Sequence, residues 1–170
     1  MYRVVQFYRA LTAQVRPDEL EALAPLLGPQ GMVLFRRLSR NDQRHSLNVY
    51  TLLHSQGYRD PALLTAALLH DVGKTTGKLS LFHRVAAVLL SVFSPRMLQR
   101  LEASDLSGLL RPFRVSWQHA ELGARLLSEA GFAATTVELV RHHHEDPGAD
   151  EVEDPLAEWV AALRRADGVN

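Results

Sequence analysis

The stretch "PALLTAALLHDVGK", residues 61–74, decides the fold. Asp60 followed by Pro61 is an N-cap and first-turn pair, so a helix starts here. The run "ALLTAALL" leaves no polar stripe, and a helix apolar on every side belongs at the centre of a core. It ends on His70 and Asp71, and burying an unpaired carboxylate costs several kcal/mol. Gly73 then breaks the pattern, and "KTTGK" at 74–78 reads as a polar turn. A core helix thus delivers a histidine and an aspartate inward.

Outward from this helix, apolar residues recur mostly at three- and four-residue spacing, with no run of alternating, β-branched strand pattern. The chain reads as all-α. Ser39 and Asp42 resemble a capping box opening a helix over 40–56, closed by Gly57. His45 lies on it, and Val49 and Leu52 at plus four and plus seven put the imidazole on the apolar face. Upstream, short helices are expected over 2–15 and over 17–27, the second with Pro17 in its first turn and Gly28 as terminator.

Downstream, "LFHRVAAVLLSVF" (81–93) is apolar nearly all round, and its thirteen residues are too few for the roughly 20 that cross a bilayer. A buried or homodimer-forming helix is the plainer reading, against one lying on a membrane surface. Ser94 and Pro95 begin another helical segment to Ala103, and 104–115 is less regular. Helices follow over 116–130, closed by Gly131, and over 133–144. An acidic loop, "EDPGADEVED", leads to Asp154 and Pro155, which open a last helix reaching Asp167 and Gly168.

A chain of 170 residues, 46% hydrophobic and 22% charged, suits one ordinary globular domain. Residues 1–38 are expected to form N-terminal helices packed on a domain spanning 39–170. Nineteen Lys and Arg balance nineteen Asp and Glu, so no global field draws the protein to nucleic acid or to anionic membrane. With no cysteine, disulfides, thiolate metals and cysteine nucleophiles are excluded together. The cytoplasm is the default compartment.

The chemistry-bearing candidates are His45, His70 with Asp71, His119, the run "RHHHED" at 141–146, and Asp167. Singly, each inward histidine has an ordinary reading as a hydrogen-bonded core residue. The two aspartates make that reading harder. Both fall at helix C-termini, where the macrodipole disfavours a carboxylate by roughly 0.3 to 1 kcal/mol. A divalent cation would offset dipole and burial together, and histidine with aspartate suits manganese, ferrous iron, zinc or magnesium.

His45 in "RHSLNV", His70 and Asp71 in "ALLHDVGK", His119 in "WQHAELGARLL", His143 in "VRHHHE" and Asp167 in "LRRAD" resemble the HD-domain metal-dependent phosphohydrolase superfamily. The resemblance spans residues 40–167, about three quarters of the chain. It implies a single helical-bundle domain. It also implies one metal site from His45, His70, Asp71 and Asp167, and a second from the bridging Asp71 with His119 and His143. His144 matches a second histidine present in some relatives, and His142 a variable position. In such enzymes a metal-bridging water or hydroxide attacks phosphorus, which makes Asp71 catalytic in holding both ions. A single-metal nucleotidase and a non-catalytic nucleotide-binding module are the alternatives.

"HDVGK" is closest in motif to the HDIG and HD-GYP group, where the lysine contacts substrate phosphate, so Lys74 is the candidate catalytic and substrate-binding cation. The Gly-Tyr-Pro tripeptide is missing after "HHE", which leaves cyclic di-GMP hydrolysis unsupported. Asn41 stands where three-metal relatives carry a glutamate. "HAELGARLL" with "LVRHHHE" also resembles the small hydrolases of diadenosine tetraphosphate, so the implied substrate is a nucleotide or dinucleotide, cleaved as a phosphomonoester or phosphodiester. Of Arg36, Arg37, Arg40 and Arg44, only Arg44, next to His45, is offered to a substrate phosphate; the others read as a solvated face. His54 and His83 match no motif position and are taken as structural. Asp167 stands three residues from the end, where helices fray, so either metal binding holds that end or the sequence belongs to a longer chain.

Overall fold

The computed structural model describes residues 15–76, 111–145 and 155–169, with the backbone alone for 111–117. All regular structure among the described residues is helical, and the fold is all-α. The expected helix over 2–15 except Val15, the apolar segment 81–93 with His83, the segment 94–103 and the acidic loop 145–154 except Glu145 lie outside the described residues.

Helix α1 runs Pro17–Arg37 and is two helices joined at a kink. Gly28 ends the first arm, as the sequence reading expects of a helix over 17–27; the second arm, to Arg37, is one that reading does not assign. Gly28 takes φ 62°, a left-handed turn that a side chain would strain. Pro29 restarts the helix at once, since a first-turn residue needs no N–H donor. The second arm buries Met32, Leu34 and Phe35.

Helix α2 spans Arg40–Ser55 and opens on the expected cap: the Asp42 amide donates to Ser39 Oγ at 3.2 Å, and Ser39 Oγ donates to Asp42 Oδ2 at 2.6 Å. Helix α3, Pro61–Leu69, is capped by Asp60 Oδ1, which accepts from the amides of Ala62 and Leu63. Every residue from Leu63 to Leu69 is buried, each leucine contributing roughly 1.5 to 3 kcal/mol of transfer free energy. Among the described residues, four helices pack around α3, as its lack of a polar face requires. A 3-10 turn, Val72–Thr76, follows and lies against α4.

Helix α4 runs Arg111–Glu129, so residues 111–115, which the sequence reading leaves less regular, are helical. Helix α5, Ala134–His142, is shorter than the expected 133–144: His143 is its C-cap and His144 lies in the turn beyond. Helix α6, Pro155–Val169, buries Val160, Leu163 and Ala166 and carries Asp167 in its last turns. No helix among the described residues is long and apolar enough to cross a membrane.

Candidate metal centre

Among the described residues, five helices and the turn after α3 converge on one point. His70, still helical at the C-cap of α3, donates from Nδ1 to the carbonyl of Ala67 at 3.0 Å. His143, at the C-cap of α5, does the same toward Val140 at 2.6 Å. Each residue bonds the carbonyl three positions back, which places the proton on Nδ1. Both Nε2 atoms are then buried, with no hydrogen-bond partner among the described residues. Buried polar atoms normally find partners. A lone His143 nitrogen and a His70 nitrogen set near two carboxylates, each with an oriented Nδ1–H, fit a cation, because this is how ligand histidines are held.

Asp71, 2% exposed, lies between two groups of donors. Its Oδ2 is 3.7 Å from His70 Nε2 and its Oδ1 is 3.4 Å from His119 Nε2. On the first side, His45 Nε2 meets Asp167 Oδ1 at 2.7 Å, and His70 Nε2 is 3.5 Å from the same oxygen. On the second side, His144 Nε2 and His119 Nε2 face each other at 3.0 Å. Donor atoms of His45, His70 and Asp71 lie within 4.8 Å of one another, and so do those of His119, His143 and His144. Either group could hold a metal ion.

The electrostatics divide the centre. Burial opposes ionisation of Asp71, but His70, Lys74 and His119 outweigh it and hold the carboxyl well below its usual range. Asp167 behaves likewise: burial acts against ionisation, and His45 and His70 overcome it. Burial lowers the basicity of His70 as well, yet Asp71 and Asp167 together raise it above that of a free imidazole. On the other side, burial and the neighbouring His70 and His144 push His143 down to about 3. Burial also lowers His144. The compensation foreseen for carboxylates at helix C-termini is supplied here by imidazoles and Lys74.

Lys74 Nζ contacts Asp71 Oδ1 at 2.5 Å and is a quarter exposed, at the boundary between cluster and solvent. Arg44 has a different setting from the one its sequence position suggests. Its guanidinium is bidentate on Glu19 of α1, at 2.9 and 2.6 Å, so the phosphate contact foreseen for it meets a carboxylate already in place. His142 points away from the cluster, with Nδ1 2.8 Å from Glu145 and Nε2 3.2 Å from Glu138. His54 stacks on Tyr50, remote from the centre.

Sequence reasoning did not find Glu19. Its one local signal is a first-turn carboxylate that accepts from the Arg16 amide, and nothing local ties it to Arg44. Arg141 was also missed; it binds Glu121 of α4 and Glu138 of its own helix, tying α5 to α4 beside His119.

Fold and site together define a helical domain built around a histidine–aspartate cluster that could hold metal ions. A family model described as the HD domain matches residues 43–169, and the chain belongs to the HD-domain family. Membership places it in a superfamily of metal-dependent phosphohydrolases whose domains bind divalent metals. No curated protein and no solved structure matches the chain.

Proposed function

We propose that the protein is a two-metal phosphohydrolase that cleaves a phosphoester of a nucleotide or dinucleotide in the cytoplasm. The observation that supports it best is Asp71, whose two carboxylate oxygens face His70 on one side and His119 on the other. His45, His70 and Asp167 would hold one ion, His119, His143 and His144 the other, and Asp71 both. When bound, divalent ions neutralise phosphate oxygens and bring water's pKa near neutrality.

The chain's own residues supply the rest. The Ala67 and Val140 carbonyls fix the His70 and His143 rings, so neither must reorient. The low pKa of His143 keeps its Nε2 lone pair free at neutral pH. Lys74 can exchange Asp71 for a phosphate oxygen by a short movement, placing a point charge on the substrate anion. A phosphate at Arg44 would have to displace Glu19, so substrate contact falls to Lys74.

The test combines elemental analysis with a hydrolysis panel of nucleotides, dinucleoside polyphosphates and model phosphodiesters, using protein loaded with manganese. Two ions per chain and turnover of a member of that panel are expected. One ion, with activity surviving His119→Ala, would replace this reading with the mononuclear one. Loaded protein that cleaves nothing on the panel would favour a binding module.

A further inference from the structure

Two glycines outside the ligand set join the three elements that build the second half of the centre. Gly73 lies in the turn that carries Asp71 and Lys74, and Gly123 lies on α4 one helical turn beyond His119. A Cβ at Gly73 would stand 1.9 Å from the carbonyl oxygen of His119 and 2.6 Å from the amide nitrogen of Gly123. These two groups are one α-helical hydrogen-bond step apart. The methyl would therefore meet rigid helix backbone, with no flexible side chain to yield. A Cβ at Gly123 would meet Val140 Cγ1 at 3.1 Å and the Gly73 amide nitrogen at 3.3 Å. Val140 is the residue whose carbonyl orients His143.

Resting on the two-metal reading above, we infer that Gly73 and Gly123 are positioning residues. Their backbone contact sets how closely Asp71 approaches the His119 and His143 imidazoles, and so whether one carboxylate can serve both ions. Neither glycine takes a positive φ, so the requirement is space alone. The gauge acts on one side of the centre. His45 and Asp167 are carried by α2 and α6, which are not part of the contact.

Manganese titration of the full chain, followed by calorimetry and by the spin coupling of a manganese pair, tests this. In native protein two ions bind and couple. Gly123→Ala, where neighbours need yield only a few tenths of an ångström, should keep the first ion at native affinity and weaken the second roughly 10- to 100-fold, as changes behind metal ligands do. Gly73→Ala should lose the second ion. Alanine favours helix over glycine, so a weakened second ion in a Gly123→Ala protein that melts no lower than native is a result a merely structural role would not give. Folded Gly123→Ala that binds both ions as native does, or loses affinity for both equally, overturns the gauge. Native protein that takes up a single ion overturns the two-metal reading instead, and with it the basis of the gauge. If Gly73→Ala does not fold, Gly123→Ala decides.

Discussion

The Nε2 atoms of His119 and His144 face each other at 3.0 Å, across an interval of 25 residues. Two ring nitrogens at that distance need something between them, a proton or a shared cation. The same point is approached by the His143 ring, whose centroid lies 3.9 Å from that of His144. His142 is turned toward Glu138 and Glu145. Replacing each of the three adjacent histidines by alanine should therefore rank the loss of manganese as His143 first, His144 second and His142 last, with His142→Ala close to native. Equilibrium dialysis with elemental analysis checks the order, and a reversed order would mean that the ligand register is wrong.

Asp71 and Asp167 should separate in the same assay. Asp167 touches only the His45 and His70 side, whereas Asp71 reaches both. Asp167→Asn is expected to lose one ion and Asp71→Asn both. Asp71→Asn retaining one ion at native affinity would contradict the bridging role.

Proton release gives a third prediction. Asp71 and Asp167 raise the His70 pKa above its ordinary 6.5, so below that raised value this imidazole carries at Nε2 a second proton that a cation must displace. His143, at about 3, carries none. Uptake of metal at pH 6, below that value, should release a proton from His70 and none from His143. Affinity should rise with pH until the raised pKa is passed and fall as pH drops below it. Calorimetric titration in buffers of different ionisation enthalpy measures this, and metal uptake without proton release would refute the assignment.

Glu19 and Arg44 tie α1 to α2 beside His45. The Arg44 hydrogen bonds hold the Glu19 carboxyl down at about 2. Since the folded value lies below the unfolded one, the stabilisation is present above about pH 4.5 and is lost as pH falls toward 2. Glu19→Gln should lower stability at pH 7 by roughly 0.2 to 1 kcal/mol, the range of an exposed pair. Its urea-unfolding midpoint should converge with native at acid pH, and metal content should not change. A drop in metal content would show that α1 supports the centre directly.

Much of this could be read from residue order because the strongest signals are local. A helix with no polar face must be central, and Ser39 with Asp42 announces a helix start from three residues alone. The "HDVGK" stretch marks where that helix stops. Other features escaped for physical reasons. Gly28, Pro29 and Gly31 disguise the second arm of α1, since the residues that break a helix also permit its immediate restart. The pair of Glu19 with Arg44 spans 25 positions and leaves no periodic trace. The sequence reading carries a helix through 144, whereas α5 ends at His142. His143 keeps helical angles at φ −61° and ψ −14°, so its ring follows the helical course one residue past the end. The backbone contact of Gly73 with α4 was invisible, because a missing side chain carries no pattern until its neighbour is known.

The 2.7 Å contact between His45 and Asp167 closes a loop of 122 residues. In a chain without cysteine it joins distant segments as a disulfide would, but only in the folded state, where it forms against a loop-closure entropy that grows only slowly with length. Such a staple is reversible, because it depends on the ionisation of Asp167. Asp167→Asn should thus act in part as reduction does on a cystine protein, loosening the last helix from α2.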